Sequence, residues 1–231
     1  MKVLVTGKSG FVGKHVVKCL LDRGIELSND FTDRPAAVIH LAWGGLPNYE
    51  NASHLEHAQW QCDLLDAMLA DEIKNITVAG TCLETVAIPP AYGMAKTFVR
   101  EFLMSKLPRA KWVRLWYLHG PGQRRECLVP SLAEAMNRGD EVFKVIDGSR
   151  DFMDVREVAA RLVDVALQTE VNGIMDCCTG NAVPVAEFCR QFVGDHPIRI
   201  EPGYPIPWYE PKVFSGNPSK ISLVHEHHPA S

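Results

Sequence analysis

The chain opens on a short apolar run, Val3-Leu4-Val5, which Gly7 ends, and this predicts a buried strand over Lys2–Thr6. Apolar residues then recur at helical spacing over 11–21, and Gly24 is placed to stop that helix. The alternation continues. Buried strands are predicted over 38–42, 75–79 and 111–118, with helices over 54–69 and 92–107 between them. Strand alternating with helix implies an α/β fold with a parallel sheet covered on both faces, a Rossmann-like doubly wound arrangement. Beyond Gly120 the pattern becomes mixed: helix over 128–137, strand over 142–146, helix over 155–167, strand over 174–178 and helix over 185–193. From 201 to 218 proline and aromatic residues dominate without a period, which predicts an irregular wrapping segment. The expected division is a dinucleotide-binding core over 1–121. A smaller substrate-binding portion over 122–231 is interleaved with the last core elements at 154–180.

Composition narrows the class. The 231 residues are 46% hydrophobic, enough for one substantial domain. The formal net charge of -4 gives no basic excess, so neither nucleic acid nor an anionic membrane is an expected partner. Seven cysteines are scattered without a CxxC spacing, which argues against a structural zinc site and for a reducing compartment. No apolar run approaches the ~18 residues of a membrane span, and no signal sequence precedes the first strand. A soluble cytoplasmic protein is expected. The end His225-Glu226-His227-His228 reads as a solvated tail rather than a metal site.

The chemistry starts in the turn Thr6-Gly7-Lys8-Ser9-Gly10-Phe11-Val12-Gly13, between strand and helix. Gly7 suits a tight turn, Gly10 lets a pyrophosphate approach the main chain, and Gly13 permits close helix-to-strand packing. The helix start offers N–H groups and a positive dipole end to phosphates. Gly7, Gly10, Phe11, Val12 and Gly13 are therefore expected to bind a dinucleotide, although the same glycines could serve as a plain connection. Tyr92 and Lys96 are four residues apart, on one face of a helix. A cation beside a phenol favours phenolate and lowers its pKa toward neutrality, which equips Tyr92 for proton transfer during hydride transfer at a nicotinamide. Thr81, at the end of the preceding strand, could hold the same substrate oxygen. An ordinary exposed helix pair is the bland alternative.

Together these residues resemble the extended short-chain dehydrogenase/reductases, the NAD-dependent epimerase/dehydratase family, from Met1 to about Asp195. Thr6 to Gly13 matches the family's Thr-Gly-x-x-Gly-x-x-Gly, and Val38-Ile39-His40-Leu41-Ala42 matches the strand whose end lies under the cofactor. Thr81, Tyr92 and Lys96 match its catalytic triad. Arg114 to Gly122 matches Arg-x-x-Asn-x-Tyr-Gly-Pro-Gly, and Arg150 to Val155 matches Arg-Asp-Phe-x-x-Val. The resemblance implies that Lys96 also binds the nicotinamide ribose, that Leu41 and Ala42 line the cofactor, that the main chain near Leu118 meets the carboxamide, and that Asp30-Phe31 contacts adenine. Glu26 is a second acidic candidate there, and Lys8 a candidate for an extra phosphate, so NAD and NADP both stay open. Trp43, Glu84, Tyr117 and Arg150 fall at substrate positions.

Three departures accompany the matches. The segment between the first helix and Val38 is short, the stretch from Thr81 to Tyr92 is short, and Tyr117 and His119 replace the expected asparagine and tyrosine. The resemblance implies an NAD(P)-dependent reductase, epimerase or dehydratase acting at the 4-position of a nucleotide-linked hexose, and a homodimer through the helices at 54–69 and 92–107. Met94, Phe98 and Phe102 recur there at four-residue spacing. The competing class is a dinucleotide-binding sensor or scaffold without turnover.

Overall fold

The computed structural model describes residues 1–227, with side chains as far as Val224. The histidine-rich end lies outside those described side chains. The elements and contacts that follow belong to the described residues.

β1 (Lys2–Thr6) leads through the glycine turn into α1 (Phe11–Asp22). β2 (Glu26–Leu27), β3 (Ala37–His40), α2 (Ser53–Ala70), β4 (Ile76–Thr81), α3 (Ala91–Lys106) and β5 (Lys111–Leu115) follow. Next come β6 (Tyr117–His119), α4 (Leu128–Arg138), β7 (Val142–Ile146), β8 (Ser149–Arg150), β9 (Phe152–Asp154) and α5 (Val155–Leu167). The chain closes with β10 (Gly173–Cys177), β11 (Val183–Pro184), α6 (Val185–Arg190), β12 (Arg199–Tyr204), β13 (Val213–Phe214) and α7 (Ser219–His227).

The central sheet runs β10-β5-β4-β3-β1-β2 and is parallel throughout. Every residue of β3 and β4 is buried, as strands covered on both faces must be. On one face Val16 and Leu20 of α1 pack with Val158, Leu162 and Ala166 of α5. On the other, Leu65 and Met68 of α2 pack with Val99 and Leu103 of α3. The sheet is thus doubly wound. The strand order reverses between β1 and β3, and the crevice outside their carboxyl ends is where such sheets take ligands.

The strand expected over 111–118 breaks in two. Trp116 is buried edge-on against Phe214, 4.8 Å between centroids, and the Tyr117 N–H donates to Asp151 O at 3.2 Å. The chain therefore leaves the central sheet there, and β6 pairs with β9. The segment expected to be irregular over 201–218 carries β12 and β13. Pro202 is accommodated because β12 has a partner on one side alone, β7, and the register slips between Pro202 and Tyr204. β2 spans two residues, too few for a hydrophobic pattern to announce it.

Candidate active site

The glycine turn presses three elements together. Gly7 has φ +70, and a Cβ there would lie 2.8 Å from the Ala42 nitrogen. A Cβ on Gly13 would lie 2.1 Å from Gly7 O. Gly10 differs: its N–H donates to Gly7 O at 2.9 Å, and an added Cβ would meet a single neighbour, at 3.2 Å. Gly7 and Gly13 thus serve packing, whereas Gly10 presents its main chain outward. The start of α1 has no side-chain cap and no acidic residue in its first turn. Its N–H groups and positive dipole end are left to an anion. A cleft of about 580 Å³ opens here, lined by Gly7, Ser9, Gly10, Leu41, Ala42 and Trp43 among others. A dinucleotide diphosphate fits this donor set.

The cleft floor is fixed by a buried hydrogen-bond chain. Thr6 Oγ1 accepts from the N–H groups of Leu41 and Ala42 at 3.2 and 3.3 Å, so its proton goes to His40 Nδ1, 2.8 Å away. His40 Nε2 then donates to Gln61 Oε1, and Gln61 Nε2 donates to Ala42 O at 3.0 Å. This pattern requires neutral His40, and burial, reinforced by the charge of Lys96, pushes its pKa down to about 4. His40 and Gln61 escaped the sequence reading as site residues. The signal for Gln61 was a polar residue on the buried stripe of α2, between Ala58 and Leu65.

Tyr92 and Lys96 stand one turn apart on α3, both buried. Gly93 allows this placement, because a Cβ there would lie 2.6 Å from Leu83 O. Lys96 Nζ donates to Ala79 O at 2.8 Å and lies 4.1 Å from the Trp43 ring centroid. Burial lowers its pKa to about 7 against an opposing pull from Glu84. Tyr92 packs among aromatic rings: His54 at 5.2 Å, Trp43 at 5.6 Å and Tyr49 at 5.6 Å. Its hydroxyl forms no hydrogen bond among the described residues. Here the expectation of a lowered phenol pKa is corrected. Burial drives the Tyr92 pKa upward, with further upward pushes from Tyr49, Glu84 and Cys82. Lys96 does not counter this, because its ammonium is turned to Ala79 O and covered by Trp43.

Several expected site residues are turned to other partners. Thr81 Oγ1 accepts from Leu83 N at 3.3 Å and Glu84 Oε1 accepts from Thr81 N at 2.8 Å, a reciprocal cap that engages the hydroxyl. Glu84 does not reach a substrate loop. Its side chain is fully buried, accepts from Trp112 Nε1 at 2.9 Å and pairs with Arg100 at 2.5 Å. Arg150 is also enclosed: Nε and Nη2 donate to Glu210 at 3.0 and 2.7 Å, and Nη1 donates to the carbonyls of Ser149, Pro211 and Lys212. Its guanidinium lies 5.5 Å from the Tyr117 ring centroid, and the Tyr117 hydroxyl is buried without a hydrogen-bond partner. Asp30 accepts from Thr32 N at 2.9 Å and caps the turn that carries Phe31, which packs toward the core. Leu118 O accepts from Gln123 Nε2 at 2.7 Å. The structure therefore brings together Gly7, Gly10, Leu41, Ala42 and Trp43 along the cleft, with Trp43 adjoining Tyr92 and Lys96. Glu84 and Arg150 have other partners.

No family model matches the chain. A curated relative, dTDP-6-deoxy-L-talose 4-dehydrogenase (NAD(+)) of Aggregatibacter actinomycetemcomitans, is 25% identical over 88% of this chain and 94% of its own. A UDP-N-acetylglucosamine 4-epimerase from Methanobrevibacter ruminantium M1, solved with UDP-N-acetylmuramic acid, shares the fold. Its TM-score is 0.80 and its identity 19%, over 96% of this chain and 91% of that one. A dTDP-4-dehydrorhamnose reductase from Clostridium acetobutylicum is likewise similar, with a TM-score of 0.78 and 18% identity over 96% and 92% of the two chains. MoeE5 in complex with UDP-glucose and NAD superposes with a TM-score of 0.76 at 20% identity, over 97% and 92%. The resemblance read from the motifs is borne out by these likenesses.

Proposed function

We propose that this chain is an NAD-dependent oxidoreductase or epimerase acting at the 4-position of a nucleotide-linked hexose or deoxyhexose, with Tyr92 as the proton-transfer residue. The observation that carries the reading is the contact of buried Tyr92 and Lys96 with Trp43, which lines a cleft bounded by the uncapped start of α1 and by Leu41-Ala42. The curated relative is named for a 4-dehydrogenation with NAD, on a dTDP-linked deoxysugar.

The chain's residues divide the work. Gly10 and the first N–H groups of α1 hold a diphosphate, and the Thr6–His40–Gln61 chain keeps the floor rigid beneath it. The name of the curated relative carries NAD(+), which supports NAD over NADP. A bound nicotinamide ring supplies the acceptor or donor of hydride. Tyr92 moves the proton at the substrate oxygen, and Lys96 stands one turn further along the same helix. Five hydrogen bonds tie Arg150 to Glu210 and the neighbouring main chain, so a substrate diphosphate must draw on other donors. A homodimer through α2 and α3 belongs to the same reading: Leu55, Met94 and Phe98 on those helices are about half exposed. A cytoplasmic setting agrees with seven free cysteines.

A second reading, dinucleotide binding without turnover, draws support from the engaged Thr81 hydroxyl and from Lys96 turned toward Ala79 O. One experiment separates the two. Nucleotide carried through purification is identified by mass, and 4-keto-6-deoxy sugar nucleotides are offered with NADH and NADPH. Oxidation of the reduced cofactor supports the enzyme. Stoichiometric dinucleotide binding with no turnover on a broad sugar-nucleotide panel supports the second reading.

A further inference from the structure

We propose that Trp43 is a positioning residue for Lys96, its indole face holding the buried ammonium beside Tyr92, and that His54 holds the indole in place. This rests on the catalytic reading of Tyr92 and Lys96 but adds a residue pair to it.

The geometry is specific. Lys96 Nζ stands 4.1 Å from the Trp43 ring centroid, against 5.9 Å from Tyr92 and 5.9 Å from Trp112. A desolvated ammonium over an indole is the strongest form of the cation–π contact. Lys96 is otherwise poorly compensated: Ala79 O is its one hydrogen-bond acceptor among the described residues, and an ammonium has three protons to place. The indole is itself restrained. Trp43 Nε1 donates to His54 Nδ1 at 3.1 Å, and His54 Nε2 donates to Asn48 O at 2.8 Å, which fixes the imidazole as the neutral tautomer. Gly44 and Gly45 let the histidines close in, since a Cβ on Gly44 would lie 3.0 Å from His57 and one on Gly45 2.9 Å from His54. The loop sequence Trp43-Gly44-Gly45 is thus shaped to seat this one side chain.

The consequence is electrostatic. The groups facing Lys96 are Glu84 from the turn after β4, which favours its charge, and neutral His40 from β3 and the Tyr92 phenol from α3, which carry none. Burial disfavours the ammonium, and the indole face offsets part of that cost. Removal of the π-face therefore lowers the Lys96 midpoint.

The test reads Lys96 directly. The intact chain is labelled with lysine carrying 13C at Cε, Lys96 is assigned from the Lys96→Arg spectrum, and its titration is followed in wild type, Trp43→Phe and Trp43→Leu. The expected midpoint is near neutrality in wild type, with Trp43→Leu lower by on the order of one pH unit and Trp43→Phe between them. An unchanged or raised midpoint in Trp43→Leu, or equal midpoints for the phenylalanine and leucine variants, overturns the proposal. A second measurement stands even where a variant does not fold. In wild type the Lys96 ε-methylene protons are expected upfield, with nuclear Overhauser contacts to the indole, and their absence overturns the proposal. Neither readout needs substrate or dinucleotide, so failure here is distinct from failure of the catalytic reading.

Discussion

The Thr6 hydroxyl lies 2.8 Å from His40 Nδ1, and through that bond the ends of β1 and β3 are locked beneath the glycine turn. The lock holds while His40 is neutral. Its folded pKa of about 4 lies below the ordinary value of 6.5, so between these limits the unfolded chain binds more protons. Stability contributed by neutral His40 is therefore complete above about pH 6.5 and is lost as pH falls toward 4, by up to about 3 kcal/mol. Denaturant midpoints at pH 7 and pH 5 should show this slope in wild type. His40→Asn should show a shallower slope and a lower starting stability. Equal slopes would mean that His40 is not the group responsible.

Gly10 and Gly13 should separate binding from folding. A side chain at Gly13 would collide with Gly7 O, and that backbone atom cannot move aside without displacing the turn. Gly13→Ala is expected to lower the melting temperature by several degrees or to prevent folding. Gly10→Val faces one contact at 3.2 Å within the chain. It should fold, with near-normal circular dichroism, and lose dinucleotide affinity by calorimetry. Wild-type affinity in Gly10→Val would remove the turn from the cofactor site.

Glu84 is expected to matter for stability rather than for substrate affinity. Its carboxylate serves Thr81 N, Trp112 Nε1 and the Arg100 guanidinium within a fully buried setting. Glu84→Ala strands the arginine and empties the cap, a loss of roughly 3–5 kcal/mol by analogy with broken buried pairs. Chemical denaturation measures it. A loss under about 1 kcal/mol would show that the pair is better solvated than its geometry indicates.

These cases show what the sequence made legible. The glycine turn, the strand–helix alternation and the Tyr92–Lys96 spacing are local patterns, each legible within a dozen residues; the turn lines the cleft, and Tyr92 and Lys96 lie against Trp43 on its wall. The family resemblance puts Glu84 and Arg150 at substrate positions, whereas their partners in the structure lie far along the chain, at Arg100, Trp112 and Glu210. No local pattern reports such pairing. His54 and Gln61 did leave a trace, as polar residues on the buried face of α2. Their roles required knowing that Trp43 and His40 come to meet them. The direction of the Tyr92 pKa was misjudged for a related reason: helical spacing sets which face a lysine shares, and a carbonyl on β4 decides where its ammonium points.

The exposed apolar residues of α2 and α3 give a prediction about assembly. Met94 and Phe98 are about half exposed, whereas Phe102 packs toward the core. Light scattering at micromolar concentration should return twice the 25.7 kDa chain mass for wild type and the chain mass for Met94→Glu/Phe98→Glu. A monomeric wild type would count against the dimer.

The central claim is that Tyr92 moves the proton. Tyr92→Phe keeps the ring among His54, Trp43 and Tyr49 and deletes an oxygen that bonds to no described residue, so folding should change little. Lys96→Ala, by contrast, removes buried charge and should impair both dinucleotide binding and turnover. The decisive measurement is turnover of an accepted sugar nucleotide by Tyr92→Phe, alongside its dinucleotide affinity. A fall of roughly 10²–10⁴-fold in turnover with unchanged affinity is the expected result. Near-normal turnover in Tyr92→Phe would contradict the account, because the phenol would then be a packing residue and the proton would travel by another route.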